Sequence, residues 1–241
     1  MKSIIFLFMM SLISGVAWAQ TPQAETGKVV AMVMGEPVTV KDKHQLGGRV
    51  LGMLMERFAR DHGIASTKEE IETFVRRTEE QDRKQQIQFE KDRERLRAEL
   101  LSDTLSERER KNRESHLQSI ESILKTSREL KEQMRGKEEA LRRSRRRVAR
   151  WFVRNWKINK ALFQKYGGRV IFQQAGPEPV DAYRDFLREQ EKAGAFRILD
   201  EKYKASFWRY FTNDAMHSFY PDDEGAKFIN TPWWMMDPPE E

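Results

Sequence analysis

The chain has 241 residues, of which 39% are hydrophobic and 34% charged, with a formal charge of +6, a pI near 9.4 and no cysteine. The missing cysteine excludes disulfide staples and thiol chemistry, and the charged fraction requires part of the chain to be nearly all surface. A basic balance of this size admits nucleic acid, anionic lipid or acidic polypeptide as partner.

The N-terminus chooses among these. Lys2 supplies a positive start, Ile4–Val16 is apolar apart from Ser and Gly, and Ala17-Trp18-Ala19 offers the small-x-small pattern of a cleavage site before Gln20. An apolar run of roughly 13 residues is shorter than the ~20 that span a bilayer. Residues 1–19 therefore read as a signal peptide cleaved after Ala19, and an exported chain without cysteine suits a Gram-negative periplasm. Export argues against nucleic acid and leaves acidic polypeptide or an anionic lipid surface as the charged partner, or else a solvated helical surface with no charged partner at all.

Gln20–Lys28 is a polar lead-in. Val29–Met34 and Val38–Val40 are β-prone runs around Gly35-Glu36-Pro37, which predicts a small hairpin or bent strand with Pro37 at the turn or an edge. Leu46, Val50, Leu51, Leu54, Met55 and Phe58 then recur at three- and four-residue spacing, the mark of one helical face. Gly47, Gly48 and Gly52 lower helix propensity but allow a neighbour to approach closely, and Gly63 is a helix stop. Thr67 and Glu70 have capping-box spacing, opening a helix whose apolar face is Ile71, Phe74 and Val75.

Between Arg76 and Arg147 the chain carries 22 Lys/Arg and 16 Asp/Glu, a net +6. Ser106 with Glu109 repeats the capping box. Leu117, Ile120 and Leu124, then Met134, Leu141 and Val148, make a narrow seam of coiled-coil type rather than a broad core face. Two antiparallel helices over 76–103 and 107–150, with a tip near Leu101–Ser106, would bury these leucines against each other. A single long helix is the alternative, with nothing nearby to cover them.

From Val148 the apolar density returns in Trp151, Phe152, Val153, Trp156, Ile158, Leu162, Phe163 and Tyr166, a helix ended by Gly167-Gly168. Arg169–Phe172 is a candidate strand, Ala175–Pro179 a loop, and Pro179 suits the first turn of a helix faced by Ala182, Tyr183, Phe186 and Leu187. A short aromatic helix follows with Tyr203, Phe207, Trp208, Tyr210 and Phe211. The tail from Phe219, rich in proline, is expected to be irregular and to pack by its aromatics.

No His-Glu-x-x-His, Gly-x-Ser-x-Gly, phosphate loop or cysteine cluster is present, and His44, His62, His116 and His217 are scattered. The most enzyme-like stretch is Asp214, His217, Asp222, Asp223 and Glu224, though such a cluster is more often a helix end and a solvated acidic turn. Glu178 and Asp181 beside Gly176-Pro177 raise the same question, with helix N-terminal electrostatics as the answer. The sharpest charge cluster is Arg142, Arg143, Arg145, Arg146 and Arg147. On a helix these side chains spread around the circumference instead of forming one pocket. No cofactor, metal ligand set or catalytic residue is expected.

Ala31-Met32-Val33-Met34-Gly35-Glu36-Pro37-Val38-Thr39, then a helix, then Gly63-Ile64 and Thr67-Lys68-Glu69-Glu70-Ile71, resembles the N-terminal domain of the SurA/PpiD-type periplasmic chaperones and related peptidyl-prolyl isomerases. The resemblance covers Val29–Phe74. Met34 stands where that family has Asn, and no parvulin isomerase domain is found, so isomerase activity is not implied. The resemblance implies a mainly α-helical protein: a SurA-like core over 20–75 and a projecting charged helical arm over 76–147. A section over 148–241 would complete the core through Trp151–Tyr166 and Tyr183–Leu187. It further implies ATP-independent, non-catalytic binding of unfolded or assembling exported proteins, for which Met53, Met55, Phe58, Trp151 and Trp156 are the candidate contacts. The alternative is a scaffolding or adaptor protein whose coiled-coil arm docks one partner or pairs two copies of the chain. A metal-dependent hydrolase around Asp214 and His217 is a third.

Overall fold

A computed structural model describes residues 28–236; the expected signal peptide and its cleavage site, and residues 237–241, lie outside the described residues. Strands β1 (Ala31–Val33) and β2 (Glu36–Val38) pair antiparallel, with Val33 opposite Glu36, so the loop is Met34-Gly35. Both loop residues have positive φ, 52° and 83°, as the two-residue turn that matches strand twist requires. Gly35 adopts this without a Cβ penalty. Pro37 sits on the outer strand, where its missing N–H interrupts no ladder bond.

Helix α1 (Gln45–Asp61) buries all six residues of its expected face. It ends where Gly63 takes φ 62° and the Ile64 N–H bonds back to the Ala59 carbonyl at 2.8 Å. Helix α2 (Lys68–Leu100) opens on the expected capping box: Thr67 N–H donates to Glu70 Oε2 at 2.7 Å, and Glu70 N–H to Thr67 Oγ1 at 3.2 Å. Helix α3 (Glu107–Gln133) opens on the second box, with Ser106 N–H to Glu109 Oε2 at 3.0 Å.

Two expected breaks are absent and one unexpected break is present. α2 runs unbroken through residue 76, and α4 (Glu138–Tyr166) runs unbroken through residue 150. The second arm helix, expected over 107–150, is instead interrupted at Gly136, whose φ is 77° and whose N–H donates to Glu138 Oε1 at 2.9 Å. The heptad spacing of Met134, Leu141 and Val148 continues across this glycine and concealed it.

After Gly167-Gly168, at φ 68° and 91°, come β3 (Ile171–Gln173) and β4 (Gly176–Glu178), a second antiparallel hairpin where a strand followed by a loop was expected. Helix α5 (Val180–Lys192) follows directly from Pro179. Strand β5 (Phe196–Ile198) then pairs with the free side of β1, Ala31 opposite Ile198, giving a three-stranded sheet in the order β2-β1-β5. Helices α6 (Glu201–Thr212) and α7 (Asp222–Asn230) and one-turn 3-10 helices at Asp214–Met216 and Trp233–Met235 complete the described chain. α7 corrects the expectation of an irregular tail, while Trp233 and Trp234 are buried as expected.

These elements form two compact units. The first, Glu72–Val148, is a charged helical hairpin. Within it α2 and α3 run antiparallel, with Leu96, Ile120 and Leu124 buried and Phe89 and Leu117 packed against them. Ion pairs Arg97–Glu121 at 2.6 Å and Arg113–Glu99 at 2.7 Å flank that seam. Arg110 donates to the carbonyls of Leu100 and Ser102 at 2.9 Å, satisfying acceptors left over where α2 ends. Arg145–Glu79 and Arg146–Glu72 tie α4 to α2.

The second unit, 28–71 with 149–236, holds the main core. Val30, Val33, Leu46, Leu54, Leu162, Phe186, Leu187, Phe196 and Phe207 are almost fully buried there. Helices α4 and α5 contribute Ile158, Leu162, Ala182, Tyr183, Phe186 and Leu187 to this core. The close approach expected at the α1 glycines is not what they provide: a Cβ at Gly47 would make ordinary contact with the Phe211 ring at 3.4 Å, and Gly48 and Gly52 face open space. Among the described residues, no helix is long and apolar enough to cross a membrane.

Candidate functional site

Two features of the second unit are candidates: a polar network beneath the β3–β4 hairpin, and a groove beside the β1–β2 turn. The network begins at the glycine pair that ends α4. There the chain turns so that Arg169 N–H and Nε both donate to Asp181 Oδ2 at 2.8 Å, and Nη2 reaches Oδ1 at 3.0 Å. The far edge of the same guanidinium holds Asp214 at 2.7 and 2.9 Å, and its face lies 4.1 Å from the Phe219 ring centre. Arg184 adds a bond to Asp181 at 2.8 Å. The Arg169 hydrogen bonds hold the buried Asp181 carboxyl down at about 2, and hold Asp214 below its usual range. Both are ionised at neutral pH and saturated by arginine, which suits them to fastening α5 and the Asn213–Phe219 segment rather than to proton transfer.

Glu178 of β4 is in a different state. It is partly buried, and burial pushes its carboxyl up, against the lowering effect of a hydrogen bond from the Tyr210 hydroxyl at 2.9 Å and of nearby His217. His217 Nε2 lies 2.6 Å from the Tyr210 carbonyl, an acceptor, so Nε2 carries the proton; Nδ1 is buried without a hydrogen-bond partner among the described residues. On the other side of β4, Asn159 donates to the Pro177 carbonyl at 2.9 Å and accepts from the Tyr183 hydroxyl at 2.7 Å. Burial pushes the Tyr183 phenol well up. Asn159 and Tyr183 thus satisfy each other inside the core, as buried polar groups must.

The network absorbs part of the stretch that looked enzyme-like and disperses the rest. Asp214 goes to Arg169 and His217 to a backbone carbonyl, while Asp222, Asp223 and Glu224 form the first turn of α7, where acids stabilise a helix. Among the described residues, no group of three His, Cys, Asp or Glu side chains is placed to hold a metal ion. Arg169, Arg184, Asn159 and the role of Tyr210 are what sequence reading missed; the signal available was the glycine pair before Arg169, which turns the chain toward α5.

The groove has a volume of about 420 Å³ and is lined by Met32, Met34, Ala195 and Phe196, with Glu191 and Arg197 supplying charge. It exists because β5 pairs with β1: the Met34 N–H bonds to the Ala195 carbonyl at 2.7 Å, bringing the end of α5 beside the hairpin turn. No local pattern in Val29–Val40 announces it.

The five expected client contacts do not converge. Met55 and Phe58 are each 8% exposed and belong to the core, with Phe58 edge-on to Phe186 at 5.7 Å. Trp156 is buried against Trp234 at 5.5 Å, and Met53 is half-buried against the same core as Phe58. In the folded chain Met55, Phe58 and Trp156 are closed to a client. Trp151 alone is open, at 50% exposure.

The arginine cluster is divided as its spread around a helix implies. Arg145 and Arg146 pair with Glu79 and Glu72 of α2, and Arg143 lies 3.9 Å from Glu139. Arg142 and Arg147 are exposed. Comparison with protein-family models, with characterised proteins and with solved structures yields no match.

Proposed function

We propose that this chain is a periplasmic, ATP-independent, non-catalytic binder of unfolded or partly assembled exported proteins. The groove carries the reading. Its apolar lining includes two methionines, whose unbranched, polarisable side chains adapt to varied apolar segments. The resemblance at Val29–Phe74 supports it, since hairpin, helix and capped helix follow one another there in the family's order and later helices close the core. The groove replaces Met55, Phe58 and Trp156 as the contact surface, because those three are spoken for by the core.

The test is suppression of aggregation of a chemically unfolded exported protein at stoichiometric amounts of the chain. Suppression that weakens in Met32→Ser/Met34→Ser, with unchanged unfolding midpoint, supports the groove. No suppression by the parent chain rejects the reading.

A scaffolding role with a coiled-coil arm is the second reading, favoured by Ile87 and Leu101, which stay 54% and 85% exposed on the charged unit. Light scattering decides it: a mass that rises with concentration, and falls back in Ile87→Glu or Leu101→Glu, favours pairing through the arm.

A further inference from the structure

Helix α5 carries two carboxylates in its last turn, and they are served differently. Glu189 accepts from Lys165 Nζ at 2.9 Å and from the Tyr166 hydroxyl at 2.9 Å. Glu191 is half-buried, and its side chain has no ion pair or hydrogen bond among the described residues. Every other buried or half-buried carboxylate of the described core unit has a donor. Glu70 has Lys157, Glu178 has Tyr210, Asp181 has Arg169, Asp185 has Arg184 and Asp200 has Lys28. The backbone adds a second penalty at Glu191. The cap of α5 is closed by Gly194 N–H on the Glu191 carbonyl at 3.0 Å and by Ala195 N–H on the Gln190 carbonyl at 2.9 Å. That end of a helix carries the negative pole of its dipole, which disfavours an acid. Partial desolvation and the dipole both oppose the Glu191 charge, and no donor side chain reaches it.

This carboxylate lines the groove, together with Met32, Met34 and Ala195. The groove's other charge does not answer it. Arg197 stands opposite Met32 in the β1–β5 ladder, is exposed to water, and makes no ion pair with Glu191. A divalent cation would need several oxygen ligands, more than one carboxylate supplies. An unpaired anion beside an apolar lining is instead complementary to a polypeptide segment that brings apolar side chains and a cation together. We infer that Glu191 sets the specificity of this groove, which selects client segments carrying a Lys or Arg beside apolar residues. The inference rests on the client-binding reading of the groove and names the class of segment that the groove prefers. An apolar segment with an acid at the same place is rejected, because it would set a second carboxylate beside one that already lacks a donor.

The test is fluorescence anisotropy of the full chain with three labelled peptides. They share an apolar Leu-Val-Leu centre and differ at one flanking position, which is Lys, Gln or Glu. The Lys peptide should bind about tenfold more tightly than the Gln peptide, with the Glu peptide weakest. Glu191→Gln should remove the difference between the Lys and Gln peptides, and Glu191→Lys should place the Glu peptide first. Because the Glu191 side chain has no partner in the fold, the unfolding midpoint of Glu191→Gln should equal or exceed that of the parent. A lower midpoint gives the carboxylate a structural role and overturns the inference. A preference for Lys that persists in Glu191→Gln also overturns it. Equal binding of all three peptides, lost in Met32→Ser/Met34→Ser, overturns the inference and leaves the groove reading standing. Binding of none of the three overturns it too, and the aggregation assay, which needs no peptide, then decides the groove reading by itself.

Discussion

The core unit and the charged hairpin are held together by different forces. In 28–71 and 149–236, a sheet of three short strands is sealed by helices drawn from both ends of the chain, and large side chains such as Phe186, Phe196 and Phe207 are fully buried. In Glu72–Val148, long helices share a seam of Leu96, Ile120 and Leu124, and most of the rest of their surface is polar or charged, with Ile87 and Leu101 as exposed exceptions. The first unit gains from removing apolar area from water. The second depends more on helix-local terms: two-sided caps, i to i+4 ion pairs and the length of the helices themselves. A single protein can thus combine a site built by distant pairing with an extension that its local sequence largely specifies.

Truncation at the centre of each unit gives the largest contrast. Phe186→Ala should cost about 4 kcal/mol and lower the urea midpoint of the core unit, because the Phe186 ring of α5 packs against Phe58 of α1 and Tyr166 of α4. Leu124→Ala should cost about 2 kcal/mol, near the low end for a buried leucine, since Gln86, Glu90, Arg93 and Arg128 line a pocket beside it. Hydrogen exchange separates the two: Leu124→Ala should accelerate amides of α2 and α3 and leave β1 and α1 protected. Equal loss of protection in both units would show that they do not unfold independently.

Two carboxyls of the core unit should respond to pH with opposite sign. Asp181 is held at about 2 against an ordinary 3.8, so its contribution is present at neutral pH and is lost as pH falls from about 4 toward 2. Asp181→Asn should therefore cost about 2 kcal/mol at pH 7 and progressively less in acid, read from unfolding midpoints across that range. Glu178 is raised above an ordinary 4.5, so its contribution is complete below 4.5 and is lost as pH rises through the elevated value. Glu178→Gln should gain on the parent between pH 4 and pH 8, a gain absent from any surface glutamate of the hairpin.

The smallest effect is expected from the ion pairs that dominate the hairpin's appearance. Arg97 and Glu121 are 51% and 43% exposed at the side chain, and a double-mutant cycle on them should give about 0.5 kcal/mol, less at high salt. A coupling several times larger would move the hairpin's stability from its seam to its charges.

What the sequence determined by itself is whatever closes within a few residues. The Thr67–Glu70 and Ser106–Glu109 caps, the stops at Gly63 and Gly167, and the buried face of α1 were all legible, as was a hairpin around Gly35, although its turn is Met34-Gly35 and not the expected Gly35-Glu36-Pro37. Each rests on contacts spaced one to five residues apart, which a local pattern can encode. The same locality explains the misreading at Gly136, where a heptad spacing outvoted a helix-ending glycine. What only the tertiary structure decided involves partners far apart in the chain. β5 reaches β1 across more than 160 residues, Arg169 joins Asp181 to Asp214, and Glu178 meets Tyr210. A three-residue strand carries too little alternation to declare its neighbour, and a lone arginine or tyrosine carries no sign of which carboxyl it will meet. The groove and the polar network are products of those pairings, so they became visible only when the chain was folded.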